Sequence, residues 1–332
     1  MKSIFPKRIG TMNMTVRPKK GLNLFVVFLL ISTMLLPITA SAAYFNTYTT
    51  VATLENANGG NSAQAFAVGS TYAYTVKVAN GNAKQVIYRT NMTTGATNLM
   101  TNGDTGTTYT TNLHHANDMV LSTINGELYM FIITMKAGNM SLVKLKYVGS
   151  TYYQVGNYTI KLNGTDKAMS GVKILSKDAN NITFLFKTGH NFYKGTIPLT
   201  ANSGTINLSS AFSINTQNAL VNGSPVSNIG SYVFQGFGLY KDTIFVPMTY
   251  KNVSIVLVYR NVSSASGTIQ ADNNLSFRIT SSTYPELFEI EGVGVAHGDK
   301  LWFNTNRKKT STDLLHDGVH YFNDFNASQF IQ

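Results

Sequence analysis

The residues best suited to chemistry form two polar groups, each next to the start of an apolar segment. They are His114, His115, Asn117 and Asp118 in the first group, and Glu286, Glu289 and Glu291 in the second. Glu289 and Glu291 are two residues apart, so they share a face if they lie on a β-strand. Carboxylates this close suit a hard cation, or one of them keeps a proton because its pKa is raised.

Both groups lie at copies of one short pattern that recurs along the chain. A polar or Gly-containing step leads into a few apolar residues, a turn and then an alternating strand. The copies begin Ala65-Phe-Ala-Val, His115-Ala-Asn-Asp, Ser170-Gly-Val-Lys, Gln235-Gly-Phe-Gly and Glu291-Gly-Val-Gly. Their spacing of roughly 50 to 65 residues is typical of arrays with one sheet per repeat, such as β-propellers. The repeat therefore predicts a single five-bladed β-propeller.

In a propeller, the segments that open the blades converge near a central channel. We therefore predict a ligand-binding ring at the channel mouth, formed by His114, His115, Asn117, Asp118, Glu289 and Glu291. The two groups should lie within about 10 Å of each other, so that their charges interact. The alternative is structural: the same polar groups would tie neighbouring blades together, because buried polar groups need partners.

The composition supports an all-β chain with one domain. The 332 residues include 18 Tyr and 19 Phe, which favour strands, and Asn-Gly and Gly-Asp steps supply hairpin turns throughout. No Pro/Ser linker or charge block divides the chain. Because Cys is absent, no disulfide stabilises the fold, and a large core must do so.

The N-terminal segment has the layout of a secretory signal. A basic stretch precedes Leu22, an apolar run extends to Pro37, and Ala40-Ser-Ala42 follows. This predicts a signal peptide over residues 1–43, with cleavage after Ala42 or Ala43, and a secreted, extracellular propeller domain over residues 44–332. An uncleaved signal anchor is the alternative, since the apolar run nearly reaches membrane-spanning length.

The net charge of +11 arises largely in that leader. Six basic residues precede Leu22, and the rest of the chain has 20 Lys and Arg against 15 Asp and Glu, an excess of about five. Such a mild excess, without long basic runs, predicts no nucleic-acid partner. Attraction to an anionic cell wall or membrane surface remains compatible with it.

Hydrolase and metal signatures are missing from the sequence. It has no Gly-x-Ser-x-Gly elbow, no His-Glu-x-x-His and no Cys nucleophile, so we assign no catalytic residue. His316 and His320 have a spacing seen in zinc ligands, but Gly318 between them favours a turn and no third ligand is evident. We predict no metal, no cofactor and a monomer.

Three stretches resemble the helveticin J family, large heat-labile bacteriocins of lactobacilli. They are Val68-Gly-Ser-Thr-Tyr-Ala-Tyr, His115-Ala-Asn-Asp-Met and Glu289-Ile-Glu-Gly-Val-Gly-Val, and the resemblance spans most of Tyr44 to Phe322. It implies a secreted bacteriocin-like antibacterial protein that binds a cell-wall or membrane-surface component of related bacteria. The resemblance implies no catalytic residues.

Two other functions stay open. The first is a propeller-class enzyme, a glycan-cleaving lyase or hydrolase, that uses His115, Asp118 and Glu291. It requires the two polar groups to converge on one open pocket with perturbed pKa values. The second is a passive extracellular adhesin, which requires only an exposed face of aromatic and polar residues.

Overall fold

The computed structural model of the chain describes residues 47–330, and nearly all regular structure in that range is β-strand. Its helices are single 3-10 turns at Asn80–Asn82, Ile229–Ser231 and Ala327–Phe330. Within the same range, no helix is long and apolar enough to cross a membrane. The all-β prediction is confirmed. The predicted signal peptide, residues 1–43, lies outside the described residues and stays a prediction.

Most strands form antiparallel groups of four, which we call blades 1 to 5 in chain order. Blade 1 contains Gly60–Val68, Tyr72–Ala79, Gln85–Asn91 and Thr97–Leu99. Blade 2 contains Asp118–Ile124, Glu127–Ile133, Leu142–Val148 and Thr151–Leu162. Blade 3 contains Gly171–Lys177, Asn181–Thr188, Asn191–Pro198 and Gly204–Asn215.

The last two blades are built in the same way. Blade 4 contains Gly238–Tyr240, Thr243–Tyr250, Val253–Arg260 and Phe277–Thr280. Blade 5 contains Leu287–Ala296, Lys300–Lys308, Gly318–Phe322 and, from the start of the described chain, Tyr48–Thr53. Short strands lie between or beside the blades, at Thr101–Asn102, Thr165–Asp166, Leu220–Val221, Ser224–Pro225, Val233–Phe234 and Thr268–Gln270.

The first strand of each blade is the inner strand. Each inner strand contacts the inner strands of the two neighbouring blades in cyclic order, so that blade 5 meets blade 1 and the ring closes. The five copies of the sequence pattern lie at these inner strands, which explains the repeat spacing. The propeller prediction is confirmed. That each four-stranded group is one blade, five in all, is our interpretation of the strand pairing.

Strands from the two ends of the described chain close the propeller. Tyr48–Thr53 pairs antiparallel with Gly318–Phe322, with Tyr48 opposite Phe322. The N-terminal strand thus covers an edge of the last blade that would otherwise expose unpaired backbone groups. A buried ion pair strengthens the junction with blade 1, because Lys77 Nζ lies 2.9 Å from Asp317 Oδ2.

Apolar and aromatic side chains fill the spaces between blades. Phe131 of blade 2 meets Phe184 of blade 3 edge to face, with ring centroids 5.0 Å apart. Trp302, the only Trp of the chain, is fully buried and donates from Nε1 to the Ala296 carbonyl at 3.0 Å. It is therefore a core residue, with no face available for a ligand.

Candidate functional site

The starts of the inner strands bring acidic residues together at one end of the ring, which we call the channel mouth. Gly236 lies between two of them. A Cβ at this position would lie 3.1 Å from Oδ1 of Asp118 and 3.1 Å from the main-chain oxygen of Glu291. No side chain fits there without a shift, so glycine lets blades 2, 4 and 5 approach closely. The structure thus brings Asp118 and Glu291, 173 positions apart in sequence, to one place.

Asp118 is fully buried, and both of its carboxylate oxygens have partners. Oδ1 accepts hydrogen bonds from Met119 N at 2.9 Å and Lys173 Nζ at 2.5 Å, and Oδ2 accepts one from Val172 N at 3.0 Å. Burial raises the pKa of Asp118, while the Lys173 charge opposes that rise. Because these bonds join blade 2 to blade 3, Asp118 holds two blades together and has no oxygen left for a ligand.

The remaining residues of the first group also make structural contacts. Asn117 Nδ2 donates to the Ser170 carbonyl at 2.6 Å, a second link between blades 2 and 3. His115 Nδ1 lies 3.2 Å from Oδ1 of Asn82, in an outer turn of blade 1. His114 and Ala116 take left-handed backbone angles, with φ of 49° and 47°, so the chain turns sharply before the inner strand begins.

The predicted ring includes His114 and His115, which lie on the connection between blades 1 and 2. Burial and the charge of Lys136 lower the pKa of His114, and burial lowers that of His115. The sequence pattern could not reveal the turn, because residues other than Gly seldom adopt left-handed angles.

Glu289 and Glu291 form the carboxyl pair of the channel mouth. Glu291 is 2% exposed, whereas Glu289 is only partly buried. The strand pairing shifts by one residue between Ile290 and Gly292, so Glu291 is the extra residue of a β-bulge. Bulges redirect side chains. Here the Asn306 amide donates to both carboxyls, at 3.4 Å to Glu289 Oε2 and at closer range to Glu291 Oε1.

The electrostatics of the pair favour one shared proton. Burial raises the pKa of Glu291 well above its ordinary value, and the charge of Glu289 and a hydrogen bond between the two side chains raise it further. The charge of Asp317 acts in the same direction. These effects all favour the protonated form of Glu291, as expected when two carboxyls share a site.

The pair is held at the junction of blades 5 and 1. Asn306 Oδ1 accepts from Ala63 N at 2.8 Å, and its Nδ2 also donates to the Ala63 carbonyl at 3.1 Å. On the other side, Gln235 Nε2 donates to Glu289 Oε1 at 2.7 Å. Sequence reasoning missed Asn306, Ala63 and Gln235 as partners, since each bond joins distant parts of the chain.

An open cavity of about 280 Å³ lies on blade 4 and is lined by Tyr232, Tyr250 and Arg278 among others. A short segment connects it to the carboxyl pair. Val233–Phe234 pairs with Thr249 and Met248, and the next residue is Gln235, the partner of Glu289. Three extended residues span about 10 Å, so the cavity is a short distance from the pair.

Further ionisable side chains lie in the strands around the mouth, and the sequence analysis did not single them out. Lys77 and Lys187 interrupt otherwise apolar strands, Tyr72–Ala79 and Asn181–Thr188, and both are fully buried. A charged residue within an apolar strand is a signal that could have identified them, because such residues are almost never buried without a partner. Lys77 has Asp317, whose pKa burial raises to about 6.

His316 and His320, whose spacing is seen in zinc ligands, make separate contacts in the structure. His316 Nε2 lies 2.8 Å from Asp313 Oδ2. His320 is buried, with Nε2 2.8 Å from Thr305 Oγ1, and burial holds its pKa well below the ordinary value. Among residues 47–330, no group of three or more His, Cys, Asp or Glu side chains is placed to hold a metal ion.

No protein-family model and no curated protein matches this chain. Solved structures do match. A GH43_1 enzyme from Xanthomonas citri aligns at 8% identity and a TM-score of 0.45, over 83% of this chain and 90% of that one. RS223-Beta-xylosidase aligns at 8% identity and a TM-score of 0.44, over 83% of this chain and 94% of that one. Glutaminyl cyclase from Myxococcus xanthus aligns at 8% identity and a TM-score of 0.40, over 81% of this chain and 95% of that one.

These matches correct the predicted function. Several of the solved structures are named as family-43 glycoside hydrolases or a xylosidase, which overturns the bacteriocin-like antibacterial protein and agrees better with the alternative, a propeller-class glycan-cleaving enzyme. At these identities and TM-scores, the matches assign neither the activity of those proteins nor the role of any of their residues to this chain. The resemblance to the helveticin J family is matched by no family model and stays a prediction.

Proposed function

We propose that this protein is a glycan-cleaving hydrolase whose proton donor is the carboxyl pair of Glu289 and Glu291. The observation that carries the proposal is the buried Glu291 beside the less buried Glu289 at the channel mouth, where burial and the charge of Glu289 raise the pKa of Glu291 well above its ordinary value. A carboxyl group that keeps its proton near neutral pH is what general acid catalysis requires. The cavity lined by Tyr232 and Tyr250, beside the pair, offers room for a sugar.

The distance between the two carboxyls limits their roles. Glycosidases that use two opposed carboxyls keep them about 5 to 5.5 Å apart when they retain configuration and about 6.5 to 9.5 Å apart when they invert it. Two carboxyls joined by a hydrogen bond are closer than either arrangement. Glu289 and Glu291 therefore act as one proton-transfer group on one side of the substrate.

The chemistry of that group balances over two steps. Glu289, which is partly exposed, delivers the proton held with Glu291 to the glycosidic oxygen as the bond between that oxygen and the anomeric carbon breaks. The ionised pair then takes a proton from a water molecule, whose oxygen bonds to the anomeric carbon. The pair regains its proton, and the net reaction is hydrolysis. Asn306 and Gln235 orient the two carboxyls throughout.

The test is release of reducing ends from polysaccharides by the secreted protein and its variants. Because the chain beyond the leader has a mild basic excess, glycans of anionic bacterial cell walls are the substrates to test first, with plant polysaccharides such as xylan beside them. Glu291→Gln keeps the shape of the side chain and removes its acidic proton. We expect it to lower turnover by about 10²-fold or more, with a melting temperature at least as high as that of the parent.

Glu286→Gln is the matched control, because Glu286 is exposed and close in sequence to the pair. It should keep parental turnover. If the parent releases no reducing ends from any polysaccharide, or if Glu291→Gln is as active as the parent, the proposal is wrong. Glycan binding without turnover would then favour the passive extracellular adhesin.

A further inference from the structure

A second cavity lies between blades 1 and 2, at the end of the propeller opposite the channel mouth. We call it the blade 1–2 cavity. Its volume is about 440 Å³, within the range of about 300 to 1,000 Å³ that small-molecule sites occupy. Val68, which lines it, is the last residue of the inner strand Gly60–Val68. Val68 packs against Gly294, three residues beyond Glu291 on its strand, which is about 10 Å of extended chain. Neither Glu289 nor Glu291 lines this cavity, so it is distinct from the carboxyl pair.

The chemistry of the lining is that of a site for a neutral, hydroxyl-rich ring. Hydroxyl side chains come from Ser70, Thr71, Ser122 and Thr123, and aromatic ones from Tyr72, Tyr74 and Tyr147. Leu121 and Leu128 add apolar surface, and Leu128 is 40% exposed. None of the lining side chains is charged. Hydroxyl groups beside aromatic and aliphatic carbon match a pyranose, which has polar edges and an apolar face.

Tyr72 offers a fixed surface for such a ring. The guanidinium carbon of Arg89 lies 4.3 Å from the centre of the Tyr72 ring, a cation–π contact that covers one face. Tyr72 lines the cavity and Arg89 does not, so the Tyr72 side chain remains accessible from the cavity. The ring is thereby held in place before any ligand arrives, which reduces the entropy that binding costs.

Two further tyrosines complete the polar wall. The rings of Tyr74 in blade 1 and Tyr147 in blade 2 meet edge to face, with centroids 5.2 Å apart. Burial raises the pKa of both phenols, so both hydroxyls keep their hydrogens at neutral pH. The contact between the Tyr74 and Tyr147 rings joins blades 1 and 2 at the cavity.

We propose that the blade 1–2 cavity binds a neutral pyranose, which stacks on Tyr72 and hydrogen-bonds to the hydroxyl side chains around it. Because no acidic side chain lines this site, it anchors a glycan and does not cleave it. The proposal is independent of the proposed hydrolase activity, since binding is measured without turnover.

The experiment is saturation-transfer NMR on the secreted protein, with methyl β-glucopyranoside and N-acetylglucosamine as neutral probes and glucuronic acid as a charged one. We expect transfer to the neutral sugars and little to glucuronic acid. Tyr72→Ala should weaken binding by about tenfold or more. Tyr153→Ala is the matched control, because Tyr153 is 39% exposed and does not line the cavity.

A second variant covers the case in which Tyr72→Ala fails to fold. Thr71→Val removes one exposed hydroxyl and keeps the shape, and it should weaken binding several-fold. Co-sedimentation with an insoluble neutral polysaccharide tells whether the sugar is recognised within a polymer or only as a free monosaccharide. Absence of saturation transfer to either neutral sugar would overturn the proposal, as would parental affinity in both the Tyr72 and Thr71 variants.

Discussion

Lys173 and Lys187 lie on neighbouring strands of blade 3, and both face the buried carboxylate of Asp118, but only Lys173 hydrogen-bonds to it. Lys173 Nζ is 2.5 Å from Asp118 Oδ1. Lys187 Nζ is fully buried, has no hydrogen-bond partner among the described residues and lies 5.0 Å from the centre of the Phe234 ring. The charges of Asp118 and Lys173 act on Lys187 in opposite directions. The two lysines should therefore respond to replacement with opposite signs.

Lys187→Met should stabilise the fold. Burial lowers the pKa of Lys187 to about 8, so at pH 7 the parent keeps a buried ammonium group without a hydrogen-bond acceptor. Removing it should raise the free energy of unfolding by about 1 to 3 kcal/mol, measured by urea unfolding. The unfolded chain binds more protons than the folded one between pH 8 and 10.5, so the parent gains stability over that window. The advantage of the variant should therefore shrink toward pH 10, and an advantage that does not change with pH would contradict this cause.

Lys173→Met should have the opposite effect. It leaves Asp118 buried without its counter-charge, and loss of one partner from a buried ion pair costs about 3 to 5 kcal/mol. The double variant with Asp118→Asn removes both charges and should recover part of that loss. Urea unfolding of the two single variants and the double variant checks the coupling. A double variant whose loss is the sum of the single ones would show that the pair contributes nothing.

The carboxyl pair should make stability depend on pH. The folded-state pKa of Glu291 is raised above 4.5, so the folded chain binds more protons than the unfolded chain above that pH. The stability contributed by Glu291 is thus present at low pH and decreases as pH rises from 4.5 through the folded-state pKa. Melting temperatures from pH 4.5 to 8 should show that Glu291→Gln gains on the parent as pH rises. Glu286→Gln should follow the parent, and the same pH profile for all three proteins would refute the raised pKa.

The predicted signal cleavage site lies just before the strand that closes the propeller. Cleavage after Ala42 or Ala43 leaves the closing strand Tyr48–Thr53 intact, and that strand pairs with Gly318–Phe322. N-terminal sequencing of secreted material should give Ala43 or Tyr44 as the first residue. A secreted protein that begins after Thr53 would contradict both the cleavage prediction and the need for this strand.

The sequence by itself determined the architecture, because a repeat is local information. Each copy of the pattern builds one inner strand, and the next strands of its blade follow through turns rich in Asn and Gly residues that are adjacent in sequence. The same local reasoning identified polar residues at the copies of the pattern, namely His114, His115, Asn117, Asp118, Glu289 and Glu291. It therefore predicted that these residues approach one another at one end of the ring.

Only the tertiary structure decided what each of these residues does. Asp118 is the ion-pair partner of Lys173, whereas Glu291 is a buried carboxyl group with a raised pKa, although both are acids on inner strands. The difference comes from contacts between blades, such as the Asn306 amide on the carboxyl pair and the Lys173 ammonium on Asp118, and from the β-bulge that turns Glu291 inward. Burial and such long-range neighbours set the pKa of a carboxyl group, and neither can be read from the residues beside it in sequence.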